Sequence, residues 1–405
     1  MADLSVLQIN VLGKTMSTGR TTREMHDYFL KNGIESHIAT SLGEDCDDSF
    51  AITTQRGKYV DFALTLVTGI EGTHSKRQTR KLIKYIDEIK PSVVHLRVLH
   101  CLTLDFGALF GYLSAKKIPV VITLHDLWFM TGLCPFYTEI GCDKWKNGCG
   151  KCPALVINNK KPLFDKTAKM WYNKKKWIES IDRLAVVGVS EWAENEARKS
   201  LLKNAEIITH VYNWIDGGVF YPRDNAAEKI REKYNIISEK IILAVSTYWT
   251  LGDRKGLDYY LALADVLGDD SVIMLVGNFT SPVNHPKIIA VPPVTDADSL
   301  AEYYSAADVY LNLSSEESFG KAAAEAVSCG TPVIAYDSTA NREIVPENGG
   351  VVIKSREIPE ITAALAEVFA RDKSHYNETC VAFARENFDK NTNIEKYIEI
   401  YRRLL

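Results

Sequence analysis

Two glutamates separated by seven residues carry the most informative chemistry in this sequence. Glu317 and Glu325 lie in the stretch SSEESFGKAAAEAVSCGTPVIAY, residues 314–336, which is otherwise rich in small and apolar side chains. Its pattern predicts a strand, a turn, a helix and a second strand. Glu325 either lies on a solvated helix face and pairs with Lys321 one turn earlier, or faces a cleft in which it and Glu317 bind the hydroxyl groups of a ligand. Glu316 is interpreted as a solvent-facing loop residue.

Length and composition restrict the class of protein that holds these glutamates. The 405 residues are too many for one ordinary core, so two domains of about 150 to 200 residues each are expected. Apolar residues make up 46% and charged residues 25%, which is typical of a folded globular chain, and a net charge of -4 gives no bulk attraction to nucleic acid. No apolar run is long enough for a membrane span and the N-terminal segment reads as a strand, so we expect a cytoplasmic protein whose eight cysteines are thiols or metal ligands rather than disulfides.

Short apolar runs alternate with amphipathic segments along the whole chain, which is typical of an α/β fold with parallel sheets. The strand candidates are SVLQINVL, SHIAT, VVHL, VVITLH, LAVVGVS, KIILAVS, VIMLVG, VYLNLSS, TPVIAY and GGVVI. The pattern is interrupted at 211–225, where glycines and a proline occur, and this places a domain junction there. We therefore predict an N-terminal domain over 1–215, a C-terminal domain over 216–385 and a C-terminal helix over 386–405 that packs back on the N-terminal domain.

Two doubly wound domains would hold ligands at the carboxyl ends of their strands, facing each other across a cleft. Glu317 follows the strand candidate VYLNLSS, and a helix begins near Phe319. The unpaired N–H groups and positive dipole of a helix N-terminus suit a phosphate, while a neighbouring carboxylate suits sugar hydroxyls. The sequence thus favours a sugar-nucleotide site.

The segment EESFGKAAAEAVSCGTPVIAY resembles the acidic element of retaining family-4 glycosyltransferases, in which two glutamates are separated by seven residues. Glu317 and Glu325 match the two acidic positions, and Gly320, Gly330 and Pro332 match as well. Ser318 stands where the family commonly has glycine. Four further segments, which precede it in the chain, match the family in the family's order: NWIDGGVFYP, DRKGLDYYLALA, MLVGN and VPPVTDADSLAEYYSAADVYLNLS. The resemblance implies a GT-B fold, which consists of two Rossmann-like domains with the donor held mainly by the second.

The resemblance also implies roles for individual residues. Glu317, Lys255 and His125 would be catalytic: Glu317 contacts the transferred sugar, Lys255 neutralises the diphosphate, and His125 contacts the sugar or the acceptor. The expected donor-binding residues are Gly19, Arg254, Lys255, Asn278, Val294, Ser318, Phe319, Gly320, Lys321 and Glu325. Gly19 is expected in a loop between the first strand and the first helix, and Trp249 stands where many relatives have an arginine.

A retaining transfer from a UDP- or GDP-sugar to a glycan or lipid-linked acceptor is the reaction that the resemblance implies, with no cofactor required for catalysis. The segments STGRTTREM and TLHDLWFMTGLCPFYTEIGCDKWKNGCGKCP resemble the branch that acts in bacterial synthesis of capsule, exopolysaccharide or lipopolysaccharide. The alternatives are a sugar-nucleotide epimerase or hydrolase of the same fold, and a catalytically silent sugar-nucleotide-binding scaffold.

Two segments of the N-terminal half leave alternatives open. Cys134, Cys142, Cys149 and Cys152 lie in a cysteine-rich loop, 132–153, and would hold a structural zinc, remain free thiols, or form an iron–sulfur cluster or disulfides. Residues 164–181 mix lysines with aromatic residues, so this helix either contacts the inner face of the cytoplasmic membrane or packs its aromatic side chains on the domain.

Overall fold

The computed structural model describes residues 4–43, 48–100, 103–157 and 160–405. The chain divides into two compact units. The first unit consists of Met1–Val211 together with Asn391–Leu405, and the second unit consists of Tyr212–Lys390. Each unit is a parallel β-sheet with helices, so the prediction of two doubly wound Rossmann-like domains is confirmed.

The first unit is built on a parallel sheet with the strand order β3-β2-β1-β4-β5-β6-β7. Its strands are β1 Ser5–Ile9, β2 Glu35–Thr40, β3 Phe50–Ala51, β4 Val93–Leu96, β5 Val120–Leu124, β6 Leu184–Gly188 and β7 Ile207–His210. Its helices are α1 Met16–Lys31, α2 Gln55–Thr68, α3 Lys76–Ile89, α4 Phe106–Ala115, α5 Thr167–Glu179 and α6 Glu191–Arg198, with a 3₁₀ turn at Lys144–Lys146.

The second unit has a parallel sheet with the strand order β10-β9-β8-β11-β12-β13. Its strands are β8 Lys240–Trp249, β9 Ser271–Phe279, β10 Ile288–Val291, β11 Val309–Asn312, β12 Val333–Tyr336 and β13 Gly350–Ile353. Its helices are α7 Ala226–Tyr234, α8 Leu257–Ala264, α9 Ala297–Ala306, α10 Lys321–Ser328, α11 Ile358–Phe369 and α12 Ser374–Phe388, with a 3₁₀ turn at Asn341–Ile344.

The central strands form where the sequence has continuous apolar runs. Every residue of β1, β4, β5 and β6 is buried, as expected for strands covered by helices on both faces. Three strands that the sequence pattern did not predict, β3, β7 and β10, all lie at sheet edges. Each of them contains half-buried or exposed residues, unlike β1, β4, β5 and β6. β3 has only two residues and β7 ends in polar residues, whereas β10 is a short apolar run, IIAV, that the predicted strands did not include.

The last helix, α13 at Lys390–Leu404, belongs by its packing to the first unit. Tyr401 lies in the core of that unit and its hydroxyl is 2.7 Å from Nδ1 of His95 on β4. The hydroxyl of Tyr397 is 3.1 Å from Oγ1 of Thr123 on β5. The first unit is thus completed by residues that follow the second unit in the sequence. None of the helices in the described part of the chain has the length and hydrophobicity needed to cross a membrane.

Candidate functional site

The predicted cations and Glu317 meet at the point where the strand order of the second sheet reverses. β8 and β11 are neighbours there, although β9 and β10 separate them in the chain. Arg254 and Lys255 lie in the turn after β8, and Glu317 lies in the loop after β11. Parallel sheets bind ligands outside the carboxyl ends of the strands at such a switch point. The topology therefore places Glu317 beside Arg254 and Lys255, which lie about sixty positions earlier in the sequence.

Glu317 is an ionised carboxylate held by two cations. It forms an ion pair with Lys255, and Nη1 of Arg254 lies 3.8 Å from Oε1 of Glu317. Burial raises the pKa of Glu317, but the attraction of Lys255 and then of Arg254 outweighs it, so the pKa lies below its usual value. The backbone N–H of Glu317 donates to Oγ1 of Thr339 at 2.9 Å, which fixes the loop that carries the carboxylate.

The same loop corrects the interpretation of Glu316. Glu316 is only 1% exposed and is not a solvent-facing residue. Its backbone carbonyl accepts a hydrogen bond from Nη1 of Arg254 at 2.7 Å, and the carbonyl of Arg254 accepts the N–H of Ser315 at 2.8 Å. The turn after β8 and the loop after β11 are therefore joined by backbone contacts that hold Arg254 beside Glu317.

Helix α10 begins directly after this loop and presents its N-terminus at the same edge of the sheet. Gly320 precedes the helix with φ +90°, a left-handed conformation that favours glycine. Phe319 is buried and packs edge-on against Phe388 at a centroid distance of 5.4 Å, which anchors the start of the helix. Ser318 is half-buried, and Lys321 is the first helical residue. These four expected donor-binding positions thus form the entry into α10.

Glu325 lies one turn into α10 and is 5% exposed, so the alternative of a solvated helix face is wrong. Tyr304, a buried residue of α9, donates its hydroxyl to Oε2 of Glu325 at 3.0 Å. Burial and then the charge of Glu325 raise the pKa of Tyr304 well above its ordinary value, so the phenol keeps its proton and remains a donor. A carboxylate oriented in this way can accept hydrogen bonds from the hydroxyls of a diol.

The other donor-side predictions lie on neighbouring elements. Asn278 is an exposed residue near the end of β9, and its Nδ2 donates to the carbonyl of Thr247 at 3.0 Å. Val294 is half-buried in the loop between β10 and α9. Trp249, which occupies the position where relatives have an arginine, is buried and donates Nε1–H to the carbonyl of Val276 at 3.0 Å. That position therefore belongs to the core, and the cations at this edge come from the turn that follows it.

In the first unit, His125 and Asp126 follow β5 at its carboxyl end. Asp126 accepts hydrogen bonds from Nε2 of His100 at 2.8 Å and from the N–H of Trp128 at 2.9 Å. Burial raises the pKa of Asp126, yet His100 and the Trp128 N–H lower it below its usual value. His125 is half-buried, and its Nε2 lies 3.0 Å from Nη2 of Arg97, a residue that sequence reasoning missed.

The expected position of Gly19 requires a correction. Helix α1 already begins at Met16, so residues 17–20 form its first turn rather than a loop. Gly19 is buried, and a Cβ there would lie 3.0 Å from Cβ of Leu12 and 3.1 Å from the backbone nitrogen of Lys14. The glycine thus allows close packing of the helix on the preceding segment.

The cysteine-rich loop gathers its thiols around one small cavity. Cys134, Cys142, Cys149 and Cys152 line a space of about 20 Å³, and Sγ of Cys149 accepts the N–H of Gly132 at 3.1 Å. Burial raises the pKa of Cys134 to about 12. Across the described ranges, no three or more His, Cys, Asp or Glu side chains are arranged to hold a metal ion. The arrangement gives no support to the structural zinc, which stays a prediction.

Helix α5 places most of its aromatic surface against the first unit. Trp171 donates Nε1–H to the carbonyl of Trp145 at 2.8 Å, and Trp177 packs edge-on against Phe106 at 6.3 Å. Tyr172 is the exception and is 64% exposed. Packing on the domain therefore accounts for two of the three aromatic residues, and contact with a membrane stays a prediction.

Lys174 on α5 is a second residue that the sequence did not single out. It is 2% exposed, and Nζ donates to the carbonyls of Trp128 at 2.6 Å and Thr131 at 3.0 Å. The same nitrogen lies 3.3 Å from the centroid of the Trp128 ring, whose Nε1–H donates to Glu71 at 2.9 Å. Lys174 thereby fastens the loop that starts at His125. Its only sequence signal is one lysine among three in NKKKW, which does not reveal which of them is buried.

Comparisons with known proteins agree with this geometry. The model of Glycosyltransferase Family 4 matches residues 18–217, and the model of glycosyl transferases group 1 matches residues 226–387. The chain is 25% identical to WcaC of Escherichia coli (strain K12), a protein whose name assigns it to glycosyl transfer in colanic acid biosynthesis. That match covers 99% of this chain and 100% of the relative.

Solved structures share the fold at low identity. Sucrose-phosphate synthase of Thermosynechococcus elongatus has a TM-score of 0.68 and 19% identity, with 99% of each chain covered. HepE of Anabaena, solved in complex with UDP-glucose, has a TM-score of 0.67 and 12% identity, with 98% of each chain covered. The two family models together span nearly the whole chain in the order expected for the two units. The chain therefore belongs to glycosyltransferase family 4 and is a glycosyltransferase of the GT-B fold.

Proposed function

We propose that this glycosyltransferase transfers a hexose from a UDP- or GDP-sugar, with retention of the anomeric configuration, to a glycan or lipid-linked acceptor during synthesis of a bacterial surface polysaccharide. The similarity to WcaC over its full length supports the class of product. A structural neighbour solved with UDP-glucose supports a nucleotide-sugar donor.

One observation carries the proposal. Lys255, Arg254 and Glu317 form a charged cluster directly before the N-terminus of α10, and Glu325 is a buried residue of that helix. Lys255 and Arg254 supply positive charge to the diphosphate, together with the N–H groups at the start of α10. Glu325 accepts hydrogen bonds from the ribose diol, and Glu317 accepts them from hydroxyls of the transferred sugar. No divalent metal is required in this scheme, because cationic side chains and helix amides meet the charge of the leaving group.

The proposed reaction forms the bond between the anomeric carbon and the acceptor oxygen on the face from which the diphosphate leaves. The bond to the phosphate oxygen breaks, and that oxygen takes the proton of the acceptor hydroxyl. The protein must stabilise negative charge most strongly at the departing phosphate, where that charge develops. Lys255 is suited to this task because its partner Glu317 holds it in the turn after β8.

The test begins with a thermal-shift screen of nucleotide sugars, followed by assays for transfer and hydrolysis with the best donor. Charge-assisted hydrogen bonds are worth about 1.5 to 3 kcal/mol, so Glu325→Gln should weaken donor binding by about 10- to 150-fold. Glu378→Gln on the exposed face of α12 is the matched control and should bind the donor as the wild type does.

Four outcomes contradict the proposal in different ways. The donor-site assignment fails if no nucleotide sugar raises the melting temperature and Glu325→Gln leaves binding unchanged. Free sugar without transfer product would indicate a hydrolase, and donor binding without turnover would indicate a scaffold. An inverted anomeric configuration in the product, read from the proton coupling constant by NMR, would refute retention.

A further inference from the structure

Arg97 is a buried cation whose hydrogen bonds all go to uncharged acceptors. It follows β4 directly and is 2% exposed. Its Nη1 donates to Oε1 of Gln8 at 3.0 Å, and its Nη2 donates to Oγ1 of Thr21 at 2.7 Å. Nη1 also lies 3.8 Å from Sδ of Met25. No carboxylate in the described part of the chain forms an ion pair with Arg97, and burial lowers the pKa of Arg97 although Tyr397, Tyr401 and Glu24 oppose this in part.

The remaining donors of Arg97 are directed at one atom of the predicted catalytic histidine. Nε and Nη2 lie 3.2 Å and 3.0 Å from Nε2 of His125. A guanidinium has five N–H donors and no acceptor, so in this contact the histidine nitrogen is the acceptor. An imidazole that accepts through Nε2 carries its proton on Nδ1. A proton on Nε2 would direct an N–H group at two others and place a second positive charge against the guanidinium.

The position of Arg97 makes this contact rigid. Gln8 lies on β1, Thr21 lies on α1, and His125 follows β5, so the guanidinium joins three elements at the carboxyl edge of the first sheet. β1 and β4 are neighbours at the point where the strand order of this sheet reverses. Because the planar fork of an arginine fixes the directions of its hydrogen bonds, the ring of His125 is held in one orientation as well as in one protonation state.

We propose that Arg97 is a positioning residue that holds His125 in the neutral form with its proton on Nδ1, so that Nε2 is occupied by the guanidinium and His125 does not serve the reaction as a general base. This inference rests on the proposed function for the use of His125, but not for its protonation state. It agrees with a transfer in which the departing phosphate takes the acceptor proton, because Nε2 is then not needed as a base.

The direct test reads the protonation of His125 by NMR, in the full-length protein with ¹⁵N-labelled histidine and without any ligand. Long-range proton–nitrogen correlations distinguish the two ring nitrogens, and loss of one set of signals in His125→Ala assigns them. The wild type should show a protonated Nδ1 and an unprotonated Nε2. Arg97→Met should lose this fixed state, and Arg97→Lys, which keeps a donor but not the fork, should restore it in part.

Tyr401→Phe is the matched control, because it removes a hydroxyl from the same buried cluster without touching His125. Its His125 signals should equal those of the wild type even if its stability falls. A protonated Nε2 in the wild type, or an unchanged spectrum in Arg97→Met, would overturn the proposal. The wild-type spectrum decides even if Arg97→Met does not fold.

A transfer assay then tests the consequence for catalysis. With the donor found in the nucleotide-sugar screen, Arg97→Met should lower kcat by about 10-fold or more while the KM for the donor stays within about 3-fold, and Arg97→Lys should recover part of kcat. An unchanged kcat together with a lost tautomer would refute the role of the tautomer in the reaction. If no nucleotide sugar is turned over, the proposed function fails, while the NMR result still decides the role of Arg97.

Discussion

Lys174→Met tests whether the buried lysine beneath the His125 loop titrates near neutral pH. Burial lowers the pKa of Lys174 from 10.5 to about 7, and the attraction of Glu71, Cys134, Cys149 and Asp126 opposes this only in part. At pH values between these two pKa values, the unfolded chain holds a proton on this lysine that the folded chain has released. The burial of Lys174 therefore destabilises the fold below its unfolded pKa, and this penalty decreases as the pH rises.

The size of the effect follows from the two pKa values. Each pH unit between them changes the free energy of unfolding by at most about 1.4 kcal/mol, and the change is smaller near the folded pKa because the proton is only partly released there. Between about pH 6 and about pH 9, the wild type should gain about 2 to 3 kcal/mol relative to Lys174→Met. Loss of the hydrogen bonds to the carbonyls of Trp128 and Thr131 shifts the variant's stability by an amount that does not depend on pH, so only the slope is predicted.

Urea unfolding followed by tryptophan fluorescence measures this slope. Five of the seven tryptophans lie in the first unit between 128 and 192, so the signal reports mainly on the unit that contains Lys174. Lys176→Met, an exposed lysine on the same helix, is the control and should differ from the wild type by a constant amount. If the difference between the wild type and Lys174→Met does not change with pH, then the two carbonyls and the Trp128 ring stabilise the ammonium fully and the reasoning from burial is refuted.

Three further predictions address the donor site, the second sheet and the cysteine-rich loop. Lys255→Met removes the main cation beside Glu317, so the pKa of Glu317 should rise and transfer should fall by about 100-fold. The acid limb of the pH–rate profile should move to higher pH, and an unmoved limb would contradict the electrostatic coupling of Lys255 to Glu317. Gly277→Ala would place a Cβ 1.9 Å from the carbonyl oxygen of Ser246 and should lower the free energy of unfolding in urea by about 2 kcal/mol or more. Gly252→Ala, with open space around it, should lower it by about 1 kcal/mol, and equal losses in the two variants would show that the close approach to Ser246 is unimportant. The structural zinc stays a prediction: elemental analysis should find about one zinc per chain, and this zinc should be lost when the four cysteines are replaced by serine. A metal-free wild-type protein would contradict the zinc site and favour the alternative of free thiols.

The sequence was sufficient to predict the interior strands of both sheets, because parallel strands that are buried on both faces consist of continuous apolar runs. It was insufficient at the edges, where β3, β7 and β10 are partly exposed, β3 has two residues and β7 mixes apolar with polar residues. The first turn of α1 was predicted as loop because STGR contains a glycine and small polar residues. In the structure that glycine serves close packing, which local composition does not reveal.

The residues of the candidate site divide in the same way. Glu317 and Lys255 were found because they lie in ordered motifs, and the structure places them in contact. Glu316 was misinterpreted because its burial comes from a neighbouring turn distant in sequence. Arg97 was missed because the sequence HLRVLH predicts that an arginine at the end of a strand is exposed to solvent. Only the packing of α1 and the residues after β5 around it shows which groups accept hydrogen bonds from its guanidinium. Partners distant in the chain decide these cases, and no local pattern encodes them.

The place of α13 has a consequence for how the protein is made. Residues 391–405 complete the first unit, yet the ribosome produces them only after the whole second unit. During translation the nascent first unit therefore waits with the surface around His95 and Thr123 uncovered, while the second unit emerges with all its strands and can finish folding earlier. The part of the chain that is synthesised first is thus the last to reach its native core, and nascent chains arrested before residue 391 should be the ones that recruit chaperones.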